Sequence, residues 1–214
     1  MSNSVAKSVP DVGVPSVDHP ARTRLIDAAI EAFAAKGFHA TSTRDIAAAA
    51  GLSPAAGYVF YKSKEELLYS IAKSGHELYL DLIREAVASS SDPIEQLTSA
   101  VYAFTRSHAM RHTRARVINY EWSALEPDHQ HQVATVRRAI NAEIAGVVAN
   151  GVATGVFTTP NPAMTTVALI SLGIDVARWF RDDGSWSGEA VAEHYTLLAL
   201  RMLGANPSRQ TTGR

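Results

Sequence analysis

The sequence predicts an all-α protein of about nine helices. Three observations lead to that class. Apolar residues recur at helical intervals through the body of the chain, and no stretch shows convincing strand alternation. Caps punctuate the periodicity: Ser53-Pro54, Asp92-Pro93 and Asn161-Pro162 each pair an N-cap residue with a proline suited to the first helical position. Short connections join the periodic stretches, as in a helical bundle.

The first 20 residues, MSNSVAKSVPDVGVPSVDHP, are rich in Pro, Ser and Val and lack a signal peptide's apolar core. They are expected to form a disordered tail, as are residues 206–214. Residues 42–64 read STRDIAAAAGLSPAAGYVFYKSK. Ser42 is a good N-cap. Asp45, three residues on, can return a bond to the cap's N–H and favours the positive helix end. Ile46, Ala47 and Ala50 give this helix a narrow apolar face. Gly51 can take the left-handed conformation that ends a helix, and Leu52 is the apolar plug under the turn. Ser53 caps a second helix, roughly Pro54 to Tyr61. Ser63 caps a further one, with Glu66 completing a capping box.

Two short helices joined by a tight glycine turn make a helix-turn-helix, whose second helix enters the DNA major groove. This second helix is poor in side chains that bond base edges. Pro54 and Ala55 offer only apolar contact, Tyr58 and Tyr61 can donate to phosphates, and Arg44 can fork onto a guanine. Gly57 weakens the helix by about 1 kcal/mol relative to alanine, so DNA is expected to help order it. Lys62 and Lys64 oppose the dipole of the helix they precede unless a phosphate docks there. The expected DNA contacts are Ser42, Thr43, Arg44, Ser53, Pro54, Ala55, Tyr58, Tyr61, Lys62 and Lys64. Three small helices alone prove little. The caps, the turn and the lysines together are specific.

Net charge is −1, which on its face argues against DNA. The charge is unevenly placed. Residues 20–64 hold six basic side chains (Arg22, Arg24, Lys36, Arg44, Lys62, Lys64) against three acids (Asp27, Glu31, Asp45). A basic module on a mildly acidic body suits a regulator. At 46% hydrophobic the chain can bury a sizeable core, and no apolar run is long enough to predict a membrane span. The absence of cysteine excludes disulfides and thiol chemistry and fits a cytoplasmic protein.

Residues 22–68 resemble the N-terminal DNA-binding domain of the TetR family of bacterial transcription regulators. The matching segments are RLIDAAIEAFAAKGFHATSTRDIAAAAGLS and YKSKEELL. The family's Leu-Tyr-His-aromatic-Phe run is here Gly57-Tyr58-Val59-Phe60-Tyr61. Tyr58 matches, but Val59 replaces a common phosphate-contacting histidine. The resemblance implies that Lys64 binds phosphate and that Arg44 contacts DNA. It divides the chain into a three-helix DNA-binding domain, 21–66, and a bundle for ligand binding and dimerisation, 67–205.

Beyond the DNA-binding segment, helices are expected over 65–88, 93–111, 114–125, 127 to about 151–155, 162–181 and 187–203. The last is apolar almost all round: Val191, Tyr195, Leu198 and Met202 line one face, and Leu197, Leu200 and Leu203 cover much of the rest. The preceding helix, with Val167, Ile170 and Ile174, has the same character. A helix apolar on both sides is buried on both sides. These two helices are expected to form a four-helix interface in a symmetric homodimer, reading an inverted repeat of double-stranded DNA. A wholly internal hairpin is the other reading of the same periodicity. The TetR resemblance implies the dimer.

Phe104, His108, Tyr120, Trp122, Arg178 and Trp179 are candidate ligand contacts, because pockets between bundle helices are mostly apolar and aromatic. Taken singly, each is better explained by core packing or a surface ion pair. INYEWSALEPDHQHQVATVRRAI, GVFTTPNP and ARWFRDDGSWSGEAVAEHYTLLALRMLG resemble the TetR regulators of actinobacterial steroid and fatty-acid catabolism, several of which respond to acyl-CoA thioesters. That resemblance suggests a bulky apolar acyl effector with an anionic head, for which Arg114, Arg116, Arg137, Arg138 and Arg178 are available.

No cofactor and no metal are expected. His108 with His112, and His129 with His131, have chelating spacing, but no Cys or well-placed acid completes a site. Gly184-Ser185-Trp186-Ser187-Gly188 has Trp where a nucleophile elbow needs Ser. An enzyme is not expected. Two classes remain: a repressor released by a small effector, and a DNA-bound protein whose C-terminal part recruits another protein. An apolar cavity would favour the first, and a solid core with an exposed apolar patch the second.

Overall fold

The computed structural model describes residues 20–205, and all statements of absence below concern those residues. Nine α-helices and one 3-10 turn follow one another without a strand. They are α1 (Pro20–Lys36), α2 (Thr43–Ala49), α3 (Pro54–Phe60), α4 (Lys64–Ala88), α5 (Pro93–Met110), α6 (His112–Tyr120), the 3-10 turn Trp122–Ala124, α7 (Pro127–Ala153), α8 (Pro162–Trp179) and α9 (Gly188–Met202). The tails expected at 1–20 and 206–214 lie outside the described residues, except Pro20, which opens α1.

The caps act as the sequence indicates. Ser42, Ser53, Ser63, Asp92, Asn161 and Ser187 each accept a backbone N–H from the first turn they precede. α6 and α7 start without such a bond, α7 on Glu126-Pro127. α6 begins at His112, two residues earlier than expected, because Arg111 alone separates it from α5 and contributes no side-chain cap. It also ends early, at Tyr120, giving way to the 3-10 turn.

Two hydrophobic clusters organise the molecule. The first joins Leu25, Phe33, Ile46, Leu68 and Ile71 of the N-terminal helices with Val117 and Ile118 of α6 and Val133 of α7. The N-terminal unit is therefore not closed on itself, since later helices complete its core. The second gathers Tyr79, Ile83, Leu97, Phe104, Ile144, Phe157, Leu169 and Leu203 around α5, which touches α4, α7, α8 and α9. α4 contributes to both and runs unbroken across residues 66 and 67. Gly75 allows α4 to approach α6 closely: a methyl group there would collide with Ile118.

The start of α4 is clasped to the start of α7. His129 Nδ1 meets Glu65 Oε1 at 2.8 Å, the Tyr69 and His129 rings stack at 3.7 Å, and the Tyr69 hydroxyl donates to Gln132.

The outer helices divide their apolar residues in a way that helical spacing alone does not reveal. Val191, expected at a dimer contact, is buried within the protomer against Ala109, Val176 and Phe180. Ile170 and Ile174 turn inward to the second cluster. Val167, Leu197 and Met202 remain exposed, with Tyr195 and Leu198 half-buried.

Candidate nucleic-acid interface and interior cavity

The α2–turn–α3 unit is assembled from short-range bonds. Ser42 Oγ accepts the Asp45 N–H at 3.1 Å. The bond from the Ser42 hydroxyl, helped by the Ser42 backbone, holds the Asp45 carboxyl below its usual range. Gly51 takes a φ of 70°, and the Leu52 N–H returns to the Ala47 carbonyl at 2.8 Å, which ends α2 and aims the chain at Ser53. Leu52 packs against the first cluster, as the plug under the turn. Thr43 Oγ1 and the Tyr58 hydroxyl lie 3.1 Å apart, tying the start of α2 to α3.

The outward surface of this unit carries Ser42, Arg44, Ser53, Pro54, Ala55, Tyr58 and Lys62, with Thr43 half-buried. Arg44 forms no ion pair. Val59 was not among the expected contacts. It is 80% exposed on the same face as Ala55, Tyr58 and Lys62, and its i, i+4 relation to Ala55 is the signal that finds it.

Two of the expected DNA contacts have internal partners instead. Tyr61 is buried, its hydroxyl is 3.2 Å from Ser70 Oγ, and the Arg22 guanidinium lies over its ring. It anchors the exit of α3. Lys64 is half-buried and donates from Nζ to the carbonyls of Phe38 at 2.8 Å and Thr41 at 2.9 Å, above the Phe38 ring. Its charge satisfies the end of the α1–α2 connection. The Glu66 carboxylate accepts the Lys62 N–H at 2.7 Å, one residue beyond the cap itself.

A cavity of about 220 Å³ lies between α4, α5, α7 and α8. Tyr79, Phe104, Ile140, Val167, Ile170 and Ile174 supply its apolar wall. His76, His108, Asn119, Arg137, Asn141 and Ser171 supply polar groups. Burial pushes the pKa values of His76 and His108 down to about 4. Burial also lowers the pKa of Arg137, which stands over the Trp122 ring at 5.5 Å and pairs with no carboxylate.

Of the six expected ligand contacts, Phe104 and His108 line this cavity. Trp122 packs on the first cluster and reaches the cavity only through Arg137. Tyr120 and Arg178 border a separate cleft beside α1, where Arg178 is committed to Asp175 by two bonds of 2.6 and 2.9 Å. Trp179 lines an outer cleft with Trp186, His194 and Tyr195. The expected dimer residues Val167, Ile170 and Ile174 border the cavity, because α8 is its wall. Arg137, one of the five arginines available for an anionic head, lines the cavity as well, whereas His76 and Tyr79 were not picked. The i, i+3 placement of His76 and Tyr79 on the apolar face of α4 was the available signal.

A capped helix-turn-helix with an open reading face, set on a helical body with an interior cavity, defines a DNA-binding transcriptional regulator. Family comparison agrees at both ends. Residues 25–71 match the model for bacterial regulatory proteins of the tetR family, and residues 90–203 match the tetracyclin repressor-like C-terminal domain. The chain belongs to the TetR family.

The transcriptional repressor KstR2 of Mycolicibacterium smegmatis is 26% identical over 193 residues, spanning 87% of this chain and 92% of its own. A tetR-family regulator from Rhodococcus RHA1, known as a crystal structure, is 39% identical, covers 87% of this chain and 98% of its own, and superposes with a TM-score of 0.82. AibR, solved with isovaleryl coenzyme A and operator DNA, shares the fold, with a TM-score of 0.77 at 17% identity over 87% of this chain and all of its own.

Proposed function

We propose that this chain is a homodimeric, cytoplasmic repressor of an inverted-repeat operator, released when a small apolar acid or acyl thioester enters the cavity between α4, α5, α7 and α8. The cavity carries this reading. It joins an apolar wall to a few polar groups, among them the unpartnered Nε2 of His108, the form a ligand site takes. A body built only to recruit another protein has no need of it. The KstR2 relatives, named as transcriptional repressors, support repression, and AibR, with its isovaleryl coenzyme A, supports an acyl effector.

Release follows from linkage. Effector and DNA must weaken each other by the same factor. α4 borders the cavity through His76 and Tyr79 and follows directly on α3. The exposed apolar residues Val167 and Leu172 on α8, with Leu197 and Met202 on α9, supply the dimer contact. Leu197→Glu should shift the protein toward monomer in analytical ultracentrifugation.

The direct test selects an operator from random duplexes in vitro and follows its release by fluorescence anisotropy, with a panel of acyl-CoAs and free acids. Release by at least one compound, and matching loss of ligand affinity when DNA is present, are expected. Tight operator binding that no compound in the panel relieves counts against the effector reading.

A further inference from the structure

The two buried imidazoles place a chemical requirement on the ligand. This inference rests on the effector reading above and goes further. His76 Nδ1 lies 2.8 Å from the Ala72 carbonyl oxygen, and His108 Nδ1 lies 2.9 Å from that of Phe104. A carbonyl oxygen only accepts, so both Nδ1 atoms carry hydrogen. Burial keeps both rings neutral near neutral pH, with pKa values of about 4. A neutral imidazole protonated at Nδ1 has a bare lone pair at Nε2. At His108 that atom is closed off from solvent and meets no donor among the described residues. Nor is the ring free to turn toward one. Tyr79 stacks on it at 4.2 Å, and Phe104 is tilted against it at 4.3 Å. A buried acceptor left unpaired is a standing cost that a ligand can remove.

The partner's chemistry follows by elimination. A carboxylate brings only further acceptors to these two acceptors. An ammonium brings donors, but Arg137 stands on the same wall and its charge is felt at His76. A hydroxyl donates without charge. Size sets a second limit. A cavity of about 150 Å³ accepts benzene, with six heavy atoms, so this one of about 220 Å³ accepts about nine, enough for a short acyl group while the coenzyme A of a thioester stays outside.

We infer that the cavity selects a short acyl or aromatic acid bearing a hydroxyl group, whose O–H donates to Nε2 of His108 or His76 while its carbonyl or carboxylate oxygen turns to Arg137. His76 and His108 are thus specificity residues: they distinguish a hydroxylated ligand from its plain counterpart.

Matched pairs test this by isothermal titration on the full-length protein: 3-hydroxybenzoate against benzoate, and 3-hydroxyhexanoyl-CoA against hexanoyl-CoA. In at least one pair the hydroxylated member should bind about ten- to a hundredfold tighter, the effect of leaving a buried polar group unpaired. His108→Phe and His76→Leu should reduce that preference, with at least one of them bringing it below about twofold. Should His108→Phe fail to fold, its role is read in the native protein by long-range proton–nitrogen correlation. The His108 Nε2 resonance should move with the hydroxylated member and stay with the plain one. A preference absent from both pairs, or one that survives the substitutions with no movement of either Nε2 resonance, overturns the inference. If both members of a pair bind and free the operator alike, this inference falls while the effector reading stands. If neither pair binds, this inference falls, and the effector reading falls only if the wider panel also fails.

Discussion

α3 and α5 are held in place by opposite means. α3 has seven residues and buries none of them. α5 has eighteen, including buried Leu97, Ala100, Phe104 and His108, and has helices packed on several sides. α3 is fixed at its ends, by the Ser53 cap and Leu52 on one side and by buried Tyr61 on the other. Its outer face is therefore free for another molecule. α5 is fixed along its flanks, and its unsatisfied chemistry faces inward. A surface reader needs good boundaries, whereas an interior sensor needs a rigid wall with an open valence in it.

If that contrast is right, damage to α5 should be global and damage around α3 local. The largest effect is expected from Leu97→Ala, which empties a site with no solvent exposure and should cost about 2–5 kcal/mol in urea unfolding. A loss below about 1 kcal/mol would break the comparison.

A pH dependence of comparable size per ring is expected next. His76 and His108 titrate near 4 when folded and near 6.5 when unfolded, so acid favours the unfolded chain. Their contribution is fully present above pH 6.5 and is lost as pH falls toward 4, about 3 kcal/mol per ring over that window. Unfolding midpoints at pH 7 and pH 4.5 measure it, and His108→Phe should flatten the profile.

Two lysines sharpen the contrast within the DNA head. Lys64→Ala removes charge-assisted bonds to two carbonyls and should cost about 1.5–3 kcal/mol of stability. Lys62→Ala should leave stability unchanged and lower the salt slope of operator binding by about one unit. Equal thermal shifts for both would sink the reassignment of Lys64. Arg44→Ala should weaken discrimination at one base pair per half-site by about 1–3 kcal/mol, read on operators changed one position at a time. The smallest effect is expected from Ser53→Ala. About 1 kcal/mol of α3 order should be lost, seen as faster amide exchange in α3 with little change in overall melting.

What the sequence revealed was what is local. Ser42, Gly51, Ser53 and Ser63 set the turns of the reading head through bonds to residues three or four positions away, and each is readable in order along the chain. The internal partners of Tyr61 and Lys64 were not legible, because Ser70 and the carbonyls of Phe38 and Thr41 belong to other elements. The cavity was half-legible for the same reason. Phe104 and His108 stand out on a helix rich in apolar residues, but Arg137 on α7 becomes a lining residue only once α7 is docked. Periodicity showed that α8 is apolar on more than one side. It did not show that Ile170 and Ile174 look inward while Val167 remains exposed.

The clasp between Glu65, Tyr69 and His129 gives α4 a mechanical character. α7 supplies Arg137, Ile140 and Asn141 to the cavity and also grips the first turns of α4. From Tyr79 at the cavity to Lys64 at the head, α4 is a lever arm of about 22 Å. A tilt of roughly 5° there carries its tip about 2 Å, within the range of helix shifts that switch proteins. In a symmetric pair the two tips move oppositely, so the gap between reading heads changes by about 4 Å, more than the rise of one base pair. An event the size of a few ligand atoms would thus be read by DNA as a half-site in the wrong place.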